Sequence, residues 1–118
     1  MSLFLGRFLS KRKMSKQKIT FFGAYIRQLR VDAELPLRKV AAQLDMDPSL
    51  LGKIERNQRQ PTRQLIFGIA KIFKQDEKAL LNEYISDQIA YKIIDESADI
   101  DALKVAEKKV EILRNQKV

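Results

Sequence analysis

Cysteine, histidine and tryptophan are absent from this chain of 118 residues. The lack of cysteine excludes disulfides, thiolate zinc sites and cysteine nucleophiles. The lack of histidine removes the commonest general base, the commonest metal ligand and every serine–histidine triad. An enzyme would have to rely on carboxylates, lysine or tyrosine, and no pair of these stands out. We therefore expect no enzymatic activity and no cofactor.

Long apolar runs are also absent. No run approaches the roughly 20 residues that span a bilayer. The apolar residues 3–5 are too few for the core of a secretory signal, and the basic residues follow them instead of preceding them. With 45% hydrophobic and 32% charged residues, the composition is that of a soluble globular domain. We expect a cytoplasmic protein with no membrane association.

The formal charge of +8 is unevenly distributed along the chain. Residues 1–18 carry 6 basic and no acidic side chains, residues 19–74 carry 10 and 5, and residues 75–118 carry 7 and 10. The basic part favours a polyanionic partner, although a solubilising surface is an equal alternative on charge alone. Residues 1–18 are either a basic arm that contacts DNA phosphates or a minor groove, or a disordered extension.

Apolar residues recur at helical spacing from residue 19 onward, and no alternating run suggests a strand. The apolar stripes of the successive helices are Phe22, Ile26 and Leu29; Leu37, Val40, Ala41 and Leu44; Leu51 and Ile54; Leu65, Ile66, Ile69, Ala70 and Phe73; Leu80, Leu81, Tyr84, Ile85, Ile89, Tyr91 and Ile93; and Ile100, Leu103, Ala106, Val110 and Leu113. The pattern predicts an all-α fold whose first helix covers residues 19–33 and whose second begins at Pro36. Asp47 is the expected cap of a third helix and Thr62 of a fourth. Two further helices are expected at about residues 77–95 and 99–116.

Two turns in this pattern need a residue with positive φ. Asp45 precedes the third helix and Asn57 follows it, and Asp and Asn tolerate this conformation best after glycine. Their placement is hard to explain if residues 44–58 formed one continuous helix. Residues 35–62 are therefore predicted to form two short helices that meet at a tight turn, followed by a basic loop, and such a unit fits the DNA major groove.

Residues 22–80 resemble the lambda-repressor-like, Xre-type helix-turn-helix family. The resemblance rests on Leu29, Arg30, Leu35, Val40, Ala41, Leu44, Met46, Leu51, Ile54, Glu55, Arg56, Asn57, Pro61, Thr62, Ile69 and Ala70. It implies a five-helix bundle followed by a C-terminal helical extension, with the second and third helices reading operator DNA. It also implies a sequence-specific transcriptional regulator that acts as a homodimer on double-stranded DNA, with no small-molecule ligand.

The chain departs from the family pattern at three positions. Pro36 stands where a capping Ser or Thr is common, Leu37 where a phosphate-binding Gln is common, and Asn57 where Gly is common. The first two departures weaken the case for side-chain phosphate contacts at the start of the second helix, although its backbone N–H groups remain available. Arg38 is the expected substitute.

The resemblance assigns base reading to the front of the third helix, at Pro48, Ser49, Leu50 and Lys53. Ser49 can donate or accept at a base edge, and Lys53 can donate to guanine or to a phosphate. Pro48 and Leu50 offer apolar contact, and partial burial is an equal alternative for Leu50. Gly52 either allows close approach of the DNA or is required for packing against the second helix.

Arginine side chains and backbone N–H groups suit phosphate contacts, which fix the register on DNA without reading sequence. The candidates for this role are Arg38, Arg56, Asn57, Gln58, Arg59 and Arg63. The family pattern also pairs Arg30 with Glu55. This pair is expected to be structural and to tie the first helix to the third.

The expected domain organisation is a basic arm at residues 1–18, a helix-turn-helix domain at 19–75 and a helical extension at 76–118. The stripes of the extension either close the core of the same chain or form a dimer interface, which would set two reading helices one DNA turn, ~34 Å, apart. The carboxylates at residues 95–101 lack the glycine and terminal glutamate of an EF-hand, so no metal is expected.

Residues 35–42 together with the acidic tail are similar to regulators of restriction–modification methyltransferase loci. The alternative function is a protein-interaction module, such as an antitoxin or a methyltransferase-associated subunit.

Overall fold

The computed structural model describes residues 19–116, and within them the fold is entirely helical. The helices are α1 (Phe22–Asp32), α2 (Leu37–Gln43), α3 (Pro48–Glu55), α4 (Arg63–Ile72), α5 (Glu77–Asp95) and α6 (Asp101–Gln116). The all-α fold class predicted from periodicity is confirmed. The predicted arm at residues 1–18 lies outside the described residues. None of the helices in the described part is both long and apolar enough to cross a bilayer.

Side chains cap the N-termini of α3, α4 and α5. Asp47 Oδ1 accepts a hydrogen bond from the Ser49 N–H at 2.9 Å, and Thr62 Oγ1 accepts one from the Leu65 N–H at 3.1 Å. Both predicted caps are thereby confirmed, and Asp76 caps α5 in the same way. Each bond satisfies an N–H group that the first helical turn leaves unpaired and contributes about 1 kcal/mol.

Each link between consecutive helices within residues 19–116 contains one non-glycine residue with φ between 54° and 61°. In each link, this residue donates its N–H to the carbonyl three residues back, and the next N–H bonds to the carbonyl five residues back. This pair of bonds is the Schellman motif that ends a helix and turns the chain sharply. The prediction of positive φ at Asp45 and Asn57 is confirmed, and the other positions are Glu34, Lys74 and Ser97.

One core holds α1–α5 together. α3 packs against α1 and α2, and α5 packs against α4 and α1. The buried apolar residues are Phe22, Ile26, Val40, Ala41, Leu51, Ile54, Ile66, Ile69, Ala70 and Leu80, and all belong to the stripes predicted from helical spacing. Full burial of a large apolar side chain contributes roughly 1.5–3 kcal/mol, so this cluster is the main source of stability.

α6 contributes nothing to this core, since each of its 16 residues is exposed. Its apolar side chains Leu103, Val110 and Leu113 are 40%, 44% and 57% exposed. α5 buries Leu80 near its start and leaves Ile85 and Ile89 on the surface. Of the two roles considered for the extension, closing the core of the same chain therefore applies to the first part of α5 and not to α6.

Candidate nucleic-acid interface

The N-terminus of α3 presents a small polar surface. Pro48 occupies the first helical position, where its missing N–H leaves no carbonyl unpaired. Ser49 is exposed, and its hydroxyl donates to Asp47 Oδ1 at 3.1 Å. The hydroxyl thus keeps only its acceptor lone pairs for a base edge. The Asp47 carboxylate, which the sequence predicts only as a cap, also brings a negative charge beside this surface.

Leu50 and Lys53 occupy different environments. Leu50 is half-buried against the core, so partial burial, one of the two alternatives left by the sequence, is what the structure shows. Lys53 is exposed, and its ammonium forms no ion pair with any residue from 19 to 116. Lys53 follows Ser49 by four residues, so the two side chains share one face of α3.

Gly52 is buried and faces α2. A Cβ atom added to it would lie 3.4 Å from Leu37 Cδ2 and 3.2 Å from Arg56 Nη1. Of the two roles considered for Gly52, packing against α2 is the one that the structure supports. The same distances show that the Arg56 guanidinium folds back over α3.

Arg30 of α1 and Glu55 of α3 form a two-point ion pair. Arg30 Nε lies 2.7 Å from Glu55 Oε2, and Arg30 Nη2 lies 2.9 Å from Glu55 Oε1. Arg30 Nη1 also donates to the Leu35 carbonyl oxygen at 3.0 Å. The Glu55 side chain is 6% exposed, and its hydrogen bond raises the pKa of Arg30. The structure thus contains the tie between α1 and α3 that the family resemblance implies, and this tie orients the end of α3.

The α3–α4 loop (residues 56–62) is bonded to two other elements. Asn57 Oδ1 accepts a hydrogen bond from the Gly23 N–H of α1 at 3.0 Å. The Tyr84 hydroxyl of α5 donates to Gln60 Oε1 at 3.0 Å. Arg59 and Gln60 are exposed residues, and their backbone N–H groups donate to no acceptor in the described part of the chain. Backbone N–H groups without an acceptor are of the kind that suits phosphate contacts.

The basic side chains predicted to contact DNA are exposed. None of them pairs with a carboxylate among residues 19–116; they are Arg38, Lys53, Arg56, Arg59 and Arg63. The Arg63 guanidinium lies 6.0 Å from the centroid of the Phe67 ring, at the outer limit of a cation–π contact. Cations without a nearby carboxylate keep their full attraction for a polyanion.

A buried carboxylate of α5 contacts the start of α1. Asp87 of α5 is 6% exposed, and its Oδ2 accepts a hydrogen bond from the Phe22 N–H at 2.8 Å. Burial raises the pKa of Asp87 by more than this hydrogen bond lowers it, and burial together with the Asp87 charge raises the pKa of Glu83. Asp87 and Asn57 thus satisfy the first two N–H groups of α1, whose own N-cap residue offers no side-chain bond.

The sequence predicts no site role for three residues of this region: Gly23, Tyr84 and Asp87. Asp87 follows Leu80 by seven residues and Tyr84 by three, so it falls on the buried face of α5, and a carboxylate on an apolar stripe was its one available signal. Gly23 has no local signal. Its importance comes from the close approach of the end of α3, which is distant in sequence.

A family model described as a helix-turn-helix domain matches residues 22–81 of the chain. The match covers α1–α4 and the first turn of α5, and so includes the front of α3, the α3–α4 loop and the Arg30–Glu55 pair. No curated protein and no solved structure matches the chain at a significant level.

Proposed function

The chain belongs to the helix-turn-helix domain family, and on this basis we propose that it is a sequence-specific DNA-binding regulator of transcription. The observation that carries the proposal is the front of α3, a capped helix end with exposed Ser49 and Lys53, beside arginines that pair with no carboxylate among residues 19–116. A helix end of this kind fits the major groove. We also propose that α1–α5 have a lambda-repressor-like arrangement. In this arrangement α1–α4 form the helix-turn-helix domain of residues 19–75, and α5 begins the extension.

Base reading is assigned to Pro48, Ser49, Leu50 and Lys53. Lys53 donates to O6 and N7 of a guanine, and Ser49 accepts from the amino group of an adenine or a cytosine. Pro48 and the exposed part of Leu50 contact a thymine methyl. Because the Asp47 carboxylate already holds the Ser49 hydroxyl proton, Ser49 favours a base that presents a donor.

Phosphate contact is assigned to Arg38, Arg56, Asn57, Gln58, Arg59 and Arg63. The free N–H groups of Arg59 and Gln60 add backbone donors at the same place. Asn57 contributes through its amide nitrogen, because its side-chain oxygen is bonded to Gly23. These contacts hold the protein at a fixed register on the duplex and carry no sequence information.

Regulation follows from occupancy of an operator, with repression where the site overlaps a promoter. The protein needs no cofactor in this mechanism and works in the cytoplasm. The narrower proposal, control of a restriction–modification locus, rests on the similarity of residues 35–42 and the acidic tail to regulators of such loci.

Two copies of the chain act together in this proposal, and residues 76–118 join them. The supporting observation is α6, a helix of 16 residues with no buried side chain. Most helical stability in proteins comes from the packing of an apolar face, which a partner surface would supply to α6. Leu103, Ala106, Val110 and Leu113 repeat at alternating steps of three and four residues, as in a helix that pairs with another helix.

The same exposed face favours a second candidate function, a protein-interaction module whose partner is a different protein. Sedimentation of the whole chain distinguishes the two. The dimer proposal expects a dimer, and a monomer after Leu103→Glu with Val110→Glu. Val105→Glu is the matched control, because Val105 lies on the opposite face of α6 and is 51% exposed. A monomeric wild-type chain would contradict the dimer and support the second candidate.

The base-reading assignment is tested on a site selected from random DNA. Ser49→Ala and Lys53→Ala should each lose discrimination at one or two base pairs per half-site, by about 1–3 kcal/mol for a good contact. Lys108→Ala removes a lysine from α6 and should leave the discrimination unchanged. If Ser49→Ala and Lys53→Ala both keep the full sequence preference, the front of α3 is not the reading surface.

A further inference from the structure

The α3–α4 loop is held at two points by groups outside the DNA-reading unit. Asn57 is bonded to the Gly23 N–H of α1 and Gln60 to the Tyr84 hydroxyl of α5, each at 3.0 Å. Only two residues separate these anchor points, and one of them is Arg59. The backbone that carries the main phosphate candidates is therefore fixed on both sides.

The two anchoring groups are themselves joined. Asp87 of α5 accepts the Phe22 N–H of α1 at 2.8 Å, and the rings of Phe22 and Tyr84 meet edge to face with centroids 5.6 Å apart. Phe22 is 2% exposed and Asp87 is 6% exposed. The part of α5 that carries the Tyr84 hydroxyl is thus fixed by buried contacts with α1.

We propose that Tyr84 is a positioning residue for DNA binding, acting through Gln60 on the α3–α4 loop without touching DNA. This inference rests on the proposed function, since it assumes that the loop binds phosphate. A loop already held in its bound conformation loses less conformational freedom when DNA binds, and the affinity rises accordingly. α5 contributes to the core and to the extension, and through Tyr84 it also takes part in DNA recognition.

Tyr84→Phe tests the proposal, because it removes the hydroxyl and keeps the ring against Phe22. The expected loss of affinity for a labelled duplex of random sequence is about 3- to 10-fold, the range for one hydrogen bond. Tyr91→Phe is the matched control on the same helix. The Tyr91 ring stacks on Phe21 at 5.4 Å, and its hydroxyl bonds to nothing among residues 19–116.

The dependence of affinity on salt separates positioning from direct contact. A lost phosphate contact lowers the slope of log K against log salt by about one unit, whereas a positioning residue leaves that slope unchanged. We expect Tyr84→Phe to bind more weakly with an unchanged slope. Unchanged affinity would overturn the proposal, and so would weaker binding with a reduced slope, which would mean that Tyr84 contacts DNA itself.

Gln60→Ala completes a double-mutant cycle. If Tyr84 acts through Gln60, the double variant should bind no more weakly than the weaker single variant. Effects that add in full would mean that the two residues act separately and would overturn the proposal.

A readout without DNA separates this inference from the proposed function. In the free protein, the Gln58 N–H is bonded to the Lys53 carbonyl oxygen at 2.8 Å, and its hydrogen exchange should be faster in Tyr84→Phe than in wild type or Tyr91→Phe. Equal exchange in the three proteins would overturn the positioning role whether or not DNA binds. If exchange is faster in Tyr84→Phe but the wild-type chain binds no DNA, the proposed function is contradicted while the anchoring by Tyr84 stands.

Discussion

At the scale of single residues, the start of α1 is the most constrained point of the fold. Gly23 is buried where α1 meets the end of α3. A Cβ atom at this position would lie 2.6 Å from Asn57 Oδ1 and 2.7 Å from the Glu55 carbonyl oxygen. Real Cβ atoms do not approach oxygen so closely, and the Glu55 oxygen belongs to backbone that is held by the rest of α3. A side chain at this position would therefore force α1 away from α3.

Gly23→Ala should destabilise the protein by about 3 kcal/mol or more, since overpacking here moves backbone. Gly68→Ala is the matched control. Its Cβ would lie 2.7 Å from Leu44 Cδ2, the end of a flexible side chain that can turn away. Better helix propensity offsets that strain, so a change within about 1 kcal/mol is expected. Urea unfolding measures both, and equal losses would contradict the special role of Gly23.

Asp87 makes stability depend on pH. Its pKa in the folded protein is raised above the ordinary aspartate value of 3.8. The folded chain thus holds a proton that the unfolded chain has lost, and the free energy of unfolding falls as pH rises from about 4 through the raised pKa. Asp87→Asn keeps an oxygen to accept the Phe22 N–H and removes the charge. The variant should lose less stability than wild type over this pH range.

Urea unfolding at pH 4 and pH 7 checks this prediction. Asp95→Asn, an exposed change of the same charge at the end of α5, should retain the pH dependence of wild type. The pKa of Glu83 is also raised, so both variants retain part of the pH dependence of stability. Identical pH dependence in Asp87→Asn and wild type would contradict the account of the buried carboxylate.

At the scale of elements, the five interhelical links within residues 19–116 all form the same turn, and none contains glycine. Each Schellman turn uses a residue with a side chain in the left-handed region, where most L-residues are about 1–2 kcal/mol less stable than in right-handed conformations. Asp45 and Asn57, next to the reading helix, are the residue types that tolerate this best. Glu34 and Lys74 are not among these types, so the α1–α2 and α4–α5 links carry strain.

Lys74→Gly should raise the free energy of unfolding by about 0.5–1 kcal/mol, the relief of strain less the extra freedom of glycine in the unfolded chain. Lys71→Gly, three residues earlier within α4, is the control of opposite sign. It should lower stability by about 1 kcal/mol because it puts glycine inside a helix. Thermal unfolding of both variants tests the argument, and a loss in Lys74→Gly would contradict it.

Helices, caps and core followed from the sequence because their causes are local. The caps Asp47 and Thr62 lie within three residues of the N–H groups they satisfy, and helical spacing picked out every buried apolar residue. Glu34 and Lys74 gave no such signal, since charged residues rarely take positive φ. The bonds Asn57–Gly23, Gln60–Tyr84 and Phe22–Asp87 join residues 24 to 65 positions apart, and only the packed fold brings these together.

At the scale of the whole molecule, basic side chains predominate in residues 19–74 and acidic side chains in residues 75–116. The exposed cations around α3 pair with no carboxylate among residues 19–116, whereas residues 75–116 carry 10 of the 15 acidic side chains. A polyanion is therefore attracted to the reading unit and repelled from the extension. This separation fits an extension that pairs with a second copy away from DNA.

Arg59→Ala and Arg63→Ala should weaken binding to all DNA sequences alike and flatten the salt dependence by about one unit for each lost phosphate contact. Lys108→Ala, on α6, should leave the slope as in wild type. Titration of a random-sequence duplex at several salt concentrations measures the slope. A slope unchanged in both arginine variants would place these side chains off the DNA.

The most direct test of the central claim, that α3 reads DNA as one of a pair, is selection of bound sites from random DNA by the whole chain. The expected product is an enriched inverted repeat whose half-sites lie about 10–10.5 base pairs apart or a multiple of this, the spacing of one helical turn. Repeating the selection with Lys53→Ala should erase one or two positions in each half-site. No enriched sequence from the wild-type chain would contradict the claim.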